Sequence, residues 1–507
     1  MDKNKTYYGI TIGPIVKTLC MTSTPGGLWL ASYIFSYIAK DLVTQIKDNG
    51  GDILIPSFDE KDIFKEVGAY PDHIIFIAKD DLEVNDIINK TKDKVSCLLY
   101  KALEKKKDKD DIKEFVRKYI NIHCIKTKNI NNIMNDISEI LDNVEQFNFY
   151  VYEEKENYFL TLFNGKKEDK DSNEKDAKNI YVKKFFDLLK DVKPQVLDRK
   201  KIKSVEDIAK VDDKKEYKIS DYLAIVQADG DGMTGLFENM GNDTIKVEKF
   251  SKSCMEYTSN AAGLVKEYGG VTIYAGGDDL LFLAPIVSEK DNKNILDLCE
   301  SISEKFNELN FEDTSISFFI AINYKKFPLY ESFNQAREML DKAKGLGYGS
   351  EKKKNSIAIN LTKASGLSVF LNFGNETETL EKYKNFIKKY YSDYSKSKEI
   401  KDSTNSVIYL MDNYKDLFKL ATDKGEKAIK NFFINMYSNP MQKNYQEFIK
   451  DITNLFIKAK SDKENKRFKS IIENDSNKDE NTELSSMLRF AKFLVEKEGE
   501  KQWHNIV

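Results

Sequence analysis

The chain has 507 residues, room for about three or four domains at roughly 150 residues each, and its 41% hydrophobic and 12% aromatic content is that of a globular protein. With 80 Lys+Arg against 83 Asp+Glu the net charge is −3, which excludes a polycation that holds nucleic acid by net charge alone, though not a basic groove on an acidic body. Only 3 His (His73, His123, His504) and 5 Cys (Cys20, Cys97, Cys124, Cys254, Cys299) are present, and no CxxC pair occurs, so a zinc knuckle or disulfide framework is excluded and metal chemistry is turned toward carboxylates.

At the N-terminus the apolar residues 7–16 are cut by Lys17 and lack a small-residue cleavage pattern, so no signal peptide is expected. No stretch reaches about 18 apolar residues, so no membrane span is expected either, and a cytoplasmic location is the expectation. The pattern predicts a strand over 8–12, a helix over 28–46 whose apolar residues are almost continuous, and strands over 53–55 and 74–77 joined by a loop with Gly68 and Pro71. Lys- and Asp-rich helical sequence is predicted over about 82–143, with strands over 147–152 and 159–163. No paired acids mark a hairpin tip here, so this region reads as a degenerate copy of the 221–360 region. Residues 165–179 (GKKEDKDSNEKDAKN) read as an exposed loop.

The clearest pattern runs from 221 to 360. Leu223-Ala224-Ile225-Val226 is a buried-strand run ending at Asp229-Gly230-Asp231-Gly232, and a helix carrying Cys254, Tyr257, Ala261, Val265 and Tyr268 stops at Gly269-Gly270. Strands over 271–274 and 280–283 flank Gly276-Gly277-Asp278-Asp279 as a hairpin. A helix through Ile295, Ile302 and Phe306, a strand over 316–322, a helix through Phe333 and Leu340 and a strand over 357–359 complete a β-α-β-β-α-β order with one added helix and strand. After about 365 the pattern is helical, with exposed loops over 392–406 and 474–482 and a last amphipathic helix over 484–496. The expected fold class is α+β: two ferredoxin-like palm domains, one degenerate and one with GGDD, plus a helical insertion and a C-terminal helical bundle. The expected divisions are 1–165 (degenerate palm with insertion), 166–218 (linker and helical region), 219–365 (catalytic palm) and 366–507 (helical domain).

Two consecutive carboxylates at a hairpin tip repel each other without a cation, and hard oxygen ligands suit Mg²⁺ or Mn²⁺. An ordinary Gly-Asp turn is the alternative reading. The first and third elements of a βαββ sheet are neighbours, so Asp229 at the end of its strand converges with Asp278 and Asp279, and the Gly230 carbonyl offers a further ligand. Carboxylates around one or two divalent ions align a 3′-hydroxyl on an α-phosphate and stabilise the leaving pyrophosphate. Gly276 and Gly277 let a phosphate approach the backbone. Asp231 either assists or is a turn residue. Lys344, in Ala343-Lys344-Gly345, brings a positive charge to a triphosphate or is a dipole-favoured lysine at a helix end. Asp72 follows Pro71 at the mouth of a strand, where it holds an acceptor's ribose hydroxyl or sulfonium, or simply opens the strand. Trp29 and Tyr33 face a base or lie in the core, and His123 is read as packing.

LAIVQADGDGMTGL (223–236), YAGGDDLLFLAP (274–285) and AREMLDKAKGLGYGSEKKKNSIAI (336–359) resemble the large polymerase-like subunit of type III CRISPR effector complexes, the III-B or Cmr kind in particular. GPIVKTLCMTSTPGGLWLASYIFSY (13–37), GDILIPSF (51–58) and VGAYPDHIIFIA (67–78) resemble its opening palm, so the likeness covers most of 1–360.

The resemblance implies metal ligation by Asp229, Asp278 and Asp279, nucleotide approach at Gly276 and Gly277, and a phosphate contact from Lys344. It implies ATP as substrate, guide RNA, target RNA and other effector subunits as partners in a heteromeric complex, and target-RNA-activated synthesis of adenylate second messengers. Many relatives begin with an HD nuclease; this chain has no His-Asp dipeptide, so DNA cleavage is not expected. The compact form favours joining AMP from ATP to S-adenosylmethionine, with cyclic oligoadenylates as the alternative. A GGDEF-like diguanylate cyclase, against which Asp279 stands where Glu is expected, and a noncatalytic scaffold of the ribonucleoprotein are further alternatives.

Overall fold

The computed structural model describes residues 6–57, 66–104, 107–128, 130–146, 156–165, 180–189, 192–198, 201–210, 218–288, 290, 293–345, 354–375, 377–392, 398–435, 443–462 and 480–495. Strands β1 (Thr6–Gly13), β2 (Asp52–Ile55), β3 (Ile74–Ala78) and β4 (Asn121–Thr127) form one sheet in the order β2-β3-β1-β4, with every pairing antiparallel. That order is what a βαββαβ chain makes when each helical crossover returns to one face of the sheet. The Pro25–Asp48 helix starts at Thr24, whose hydroxyl accepts from the Gly27 N–H, with Pro25 at the first turn. Its apolar residues are almost continuous because neighbours cover it on most sides: Leu28, Trp29, Leu30 and Ala31 are all fully buried. Trp29 stacks on Tyr33 with ring centroids 4.7 Å apart, so both are core side chains and offer no platform to a base.

The sequence expectation fails in two places in this first palm. Residues 159–163 lie in a helix, Tyr158–Asn164, capped by Asn157. Tyr158, Phe159, Leu162 and Phe163 are buried at helical spacing against Phe115 and Tyr119, and this packing overrides the strand preference of an aromatic run. The fourth strand is instead β4, inside the stretch read as helical, between the Lys109–Tyr119 and Ile133–Gln146 helices. Residues 147–152 lie outside the described residues. A small hairpin, β5 (Leu197–Asp198) with β6 (Lys201–Ile202), comes next.

The second sheet comprises β7 (Tyr222–Asp231), β8 (Val271–Gly276), β9 (Asp279–Ala284), β10 (Ser315–Tyr324), β11 (Ser356–Thr362) and β12 (Ser368–Gly374), in the order β12-β11-β10-β7-β9-β8. Its β10-β7-β9-β8 part repeats the order of the first sheet. β11 adds in parallel after the Leu329–Gly345 helix, and β12 turns back on it. The sheet thus runs to Gly374, and the purely helical reading after 365 is corrected: Val369, Leu371 and Phe373 are buried at strand period. Helices are then found at Glu378–Ser392, Lys398–Asn413, Lys415–Asp423, Glu426–Asn435, Lys443–Asp462 and Glu480–Val495. The Lys398–Asn413 helix takes up part of the expected 392–406 loop; residues 474–479 lie outside the described residues. Among the described residues no helix is long and apolar enough to cross a membrane.

Alternation along the second sheet gives it two buried faces. Leu223, Ile225, Leu281, Leu283, Phe319 and Ala321 join the core of the first palm and the Leu329–Gly345 helix. Ala224, Val226, Ala228, Phe282, Ile320 and Ile322 join the Thr244–Tyr268 and Ile295–Asn307 helices and, through them, the C-terminal bundle. The free edge at β8 is covered as well. Thr272 N–H donates to Gln195 Oε1 at 2.7 Å, the Gln195 amide donates to the Ala262 carbonyl, and Ala275 N–H meets the Gly68 carbonyl at 3.4 Å. Lys266 pairs with Glu66 at 2.7 Å beside them. The two palms are therefore joined by a shared core and by a strand edge.

Candidate active site

The β8–β9 hairpin turns on two residues. Gly276 pairs with Asp279, leaving Gly277 and Asp278 at the tip, and Gly277 has φ +66°, the left-handed value that glycine adopts without strain. At Gly276 a Cβ would sit 2.5 Å from Tyr274 Oη. Its missing side chain makes room for the tyrosine.

Asp278 folds over the end of β7. A Cβ on Gly230 would lie 2.5 Å from Asp278 Oδ2 and 2.8 Å from its Cβ, so the carboxylate occupies the space a side chain at 230 would take. Burial, added to the Asp278 charge, pushes the Cys254 thiol and the Tyr257 phenol well up, which puts that carboxylate next to the Thr244–Tyr268 helix. Asp279 begins β9 and is exposed. Ala228 pairs with Leu280, and one step outward along the same register brings Asp229 across from Asp279. Opposed residues on paired strands have Cβ atoms about 5 Å apart, and like charges there repel. Asp229, Asp278, Asp279 and the Gly230 backbone thus meet at one end of β7 and β9. This all-oxygen donor set, crowded with negative charge, fits Mg²⁺ or Mn²⁺ and suits no softer metal.

Asp231 is the last residue of β7 rather than a turn residue. It is 2% exposed, and its Oδ2 accepts from Ser317 Oγ at 2.5 Å, Ser315 Oγ at 3.2 Å and Asn355 N–H at 2.9 Å. The carboxylate ties the end of β7 to the start of β10 and to the residue that enters β11. Lys344 lies in the Leu329–Gly345 helix, and its side chain is outside the described residues.

The first palm faces this hairpin with acids of its own. Asp72 is half-buried just before β3, and burial raises its pKa, with His73 opposing and Glu145 adding to the rise. His73 Nε2 lies 2.9 Å from Glu145 Oε1 and 4.0 Å from Asp142 Oδ1, and Thr11 donates to the same Glu145 oxygen. Asp72, His73 and Glu145 each offer a ligand atom within 4.8 Å of the others. Tyr274 stands between the two acidic groups: burial raises its phenol well above the usual value, and the charges of Asp72, Asp279 and Asp278 push the same way. Sequence reasoning named Asp72 but missed His73, Glu145 and Tyr274. Glu145 is 134 positions from Thr11, so no local pattern announces it. Tyr274 stands in the YAGGDD motif and is legible only once its direction is known. His123 sits half-buried on β4, opposite Thr11.

Gly230→Ala is expected to leave the fold intact and to lower product formation about 10²-fold, because the new methyl displaces the Asp278 carboxylate while Met233 Cε, 2.7 Å away, can yield. Circular dichroism and a pyrophosphate-release assay check both halves.

The family described as Cas10/Cmr2, second palm domain, matches residues 222–358, which are β7 through the middle of β11. No curated protein matches the sequence. Among solved structures, a Csm1-Csm4 cassette in complex with cA4 matches with TM-score 0.55 and 13% identity over 97% of this chain and 70% of that chain. A Type III-B Cmr-beta complex bound to cognate target RNA matches with TM-score 0.53 and 12% identity over 87% of this chain and 79% of that one. At such identity the likeness is one of fold. The family's palm is of the nucleotidyltransferase and cyclase type. Residues 222–358 match the second palm domain of Cas10/Cmr2, set in a chain that resembles in fold the matched chains of the Csm1-Csm4 cassette and the Type III-B Cmr-beta complex.

Proposed function

We propose that the chain is the nucleotidyltransferase of a type III-B CRISPR effector complex, activated when its partners capture target RNA, and that it makes 3′-linked adenylate messengers from ATP. The observation that supports this reading is that Asp229, Asp278 and Asp279 stand together at one end of β7 and β9, where like charges on neighbouring strands call for a cation. Mg²⁺ or Mn²⁺ held by these carboxylates and the Gly230 carbonyl would neutralise charge on the triphosphate and lower the pKa of the attacking hydroxyl. Gly277 leaves open space at the tip for a phosphate, since nothing lies within 4 Å of a Cβ built there. Lys344 would meet the triphosphate from the end of its helix. In the reaction a ribose hydroxyl oxygen of the acceptor bonds to the α-phosphorus of ATP, the bond from that phosphorus to pyrophosphate breaks, and the hydroxyl proton leaves to solvent.

Asp72, with His73 and Glu145 behind it, is the acceptor side of this reading. Three acids, including Asp142, against one histidine favour a cationic acceptor, and S-adenosylmethionine carries a sulfonium next to its ribose. A cyclic oligoadenylate product is the second reading, favoured by the Csm1-Csm4 cassette that was solved in complex with cA4. The test is reconstitution with guide RNA and partner subunits, labelled ATP, divalent metal, target RNA, and S-adenosylmethionine present or absent. Product that forms only with target RNA and needs S-adenosylmethionine supports the conjugate; ATP-only product supports oligoadenylates; turnover of GTP alone by the isolated chain overturns both in favour of a diguanylate cyclase.

The acceptor side carries a pH signature. Burial alone would lower the His73 pKa, but the Glu145 hydrogen bond and the charges of Asp72, Glu145 and Asp142 win, and the pKa is raised. A histidine whose folded pKa exceeds its unfolded value contributes stability that is complete below the unfolded value and is lost as pH rises through the folded one. Melting temperature is therefore expected to fall as pH rises from about 6.5 upward, and this component is expected to vanish in His73→Gln. Thermal scans of both proteins across that window give the difference.

A further inference from the structure

Tyr274 is the side chain at this interface that the transfer reaction leaves without a role. Along β8, Thr272 pairs with Phe282 and Tyr274 with Leu281, so Ile273 is an extra residue and the strand carries a bulge. Without the bulge Tyr274 would share the face of Thr272 and Phe282, beneath the Thr244–Tyr268 helix. With it, Tyr274 shares the face of Leu281 and Leu283 and packs against the core of the first palm. Asp279, two positions before Leu281, lies on that same face. The phenol reaches over Gly276, and the next residue, Ala275, meets the Gly68 carbonyl of the first palm. The ring is half-buried, and among the described residues its hydroxyl makes no hydrogen bond. A bulge that re-aims a tyrosine, a glycine that makes room for it and a hydroxyl without a partner among the described residues together point to a partner that binds from solution.

We propose that Tyr274 contacts the acceptor, its phenolic O–H donating to a hydroxyl oxygen of the acceptor's ribose in the gap between Asp72 and the Asp278–Asp279 tip. The inference rests on the nucleotidyl-transfer reading and names one contact within it. Burial first, and then the surrounding carboxylates, favour the protonated phenol, so Tyr274 acts as a hydrogen-bond donor and takes no part as a base. Carboxylates on both sides accept hydrogen bonds but donate none, so a ribose hydroxyl placed between them can give its proton to either; the phenol supplies the donor that its oxygen would otherwise lack.

The test is Tyr274→Phe in the assembled complex, a change that removes one oxygen and no hydrogen bond within the described protein. Equilibrium dialysis with labelled S-adenosylmethionine and, separately, with a non-hydrolysable ATP analogue reads binding without turnover. If the conjugate is the product, the dissociation constant for S-adenosylmethionine is expected to rise about five- to tenfold, the worth of one hydrogen bond, while that for the ATP analogue holds. If ATP is itself the acceptor, the same rise appears in a second, weaker class of analogue sites and spares the tighter class. Steady-state kinetics should repeat the split as a raised acceptor KM. Unchanged binding in every class, a uniform loss across both ligands, or a fall in kcat alone overturns the assignment of Tyr274. Failure of the wild-type complex to release pyrophosphate under any condition is a separate result, which overturns the nucleotidyl-transfer reading.

Discussion

Replacing Asp278 and Asp279 together by asparagine is expected to abolish adenylate product in the reconstituted complex, a loss of about 10³-fold or more, while folding and assembly are unchanged. The two effects separate because the carboxylates contribute little to the core: Asp279 is exposed and Asp278 is half-buried. Asparagine keeps the shape of each side chain, so the Gly277 turn and the β8–β9 register stand. It removes the negative charge that binds a divalent cation, and it relieves repulsion among Asp229, Asp278 and Asp279, so the melting temperature should hold or rise slightly. Pyrophosphate release and chromatography of labelled product read the first effect, and thermal unfolding reads the second. Undiminished product from the double variant would sink the assignment of these residues.

Asp231→Ala should act in the opposite way, through the fold. Its Oδ2 gathers Ser315, Ser317 and the Asn355 N–H, and removing it leaves these donors buried without that acceptor. Each such orphan costs about 1–3 kcal/mol, so a loss of about 3 kcal/mol or more is expected in the second palm. Activity should fall with it, since Asp229 and Gly230 stand on the same strand end. Asp231→Asn keeps an acceptor oxygen at the position and should recover most of the stability. Hydrogen exchange of the β10 and β11 amides, compared across the two variants, distinguishes this bracing role from metal ligation: a ligand's loss would leave exchange unchanged.

The second palm was legible because its strands carry their own punctuation. Leu223–Val226, Val271–Tyr274 and Leu280–Leu283 are short apolar runs ended by glycine and aspartate, and each falls within a strand of the structure. The first palm was half-legible. β1, β2 and β3 are apolar enough to read, but β4 has Lys126 and Asn121 within it and is half-exposed along much of its length, so it lacks the clean alternation of a core strand. Tyr158–Phe163 misled for the converse reason, since aromatic residues suit a strand and only packing on Phe115 and Tyr119 makes them a helix. β12 was lost in charged surroundings. At the site, the residues on one motif could be read from it, while Glu145 and His73 come from distant elements that meet only through the first sheet. The fate of Asp231 could not be read either: GDG looks the same whether its aspartate faces solvent or three buried donors.

The covered edge of β8 bears on how this architecture can be inherited. One face of the second sheet is finished by the first palm, and its outermost strand is capped by Gln195 and by the Gly68 loop. A gene fragment encoding the GGDD palm alone would keep the Leu329–Gly345 helix over β7 and β10 but would put Val271, Ile273, Leu281 and Leu283 in water beside a bare strand edge, a surface that invites self-association. The arrangement therefore resists shuffling: the first palm serves as the layer and the edge cover that the GGDD palm lacks by itself, so the two are expected to be inherited together.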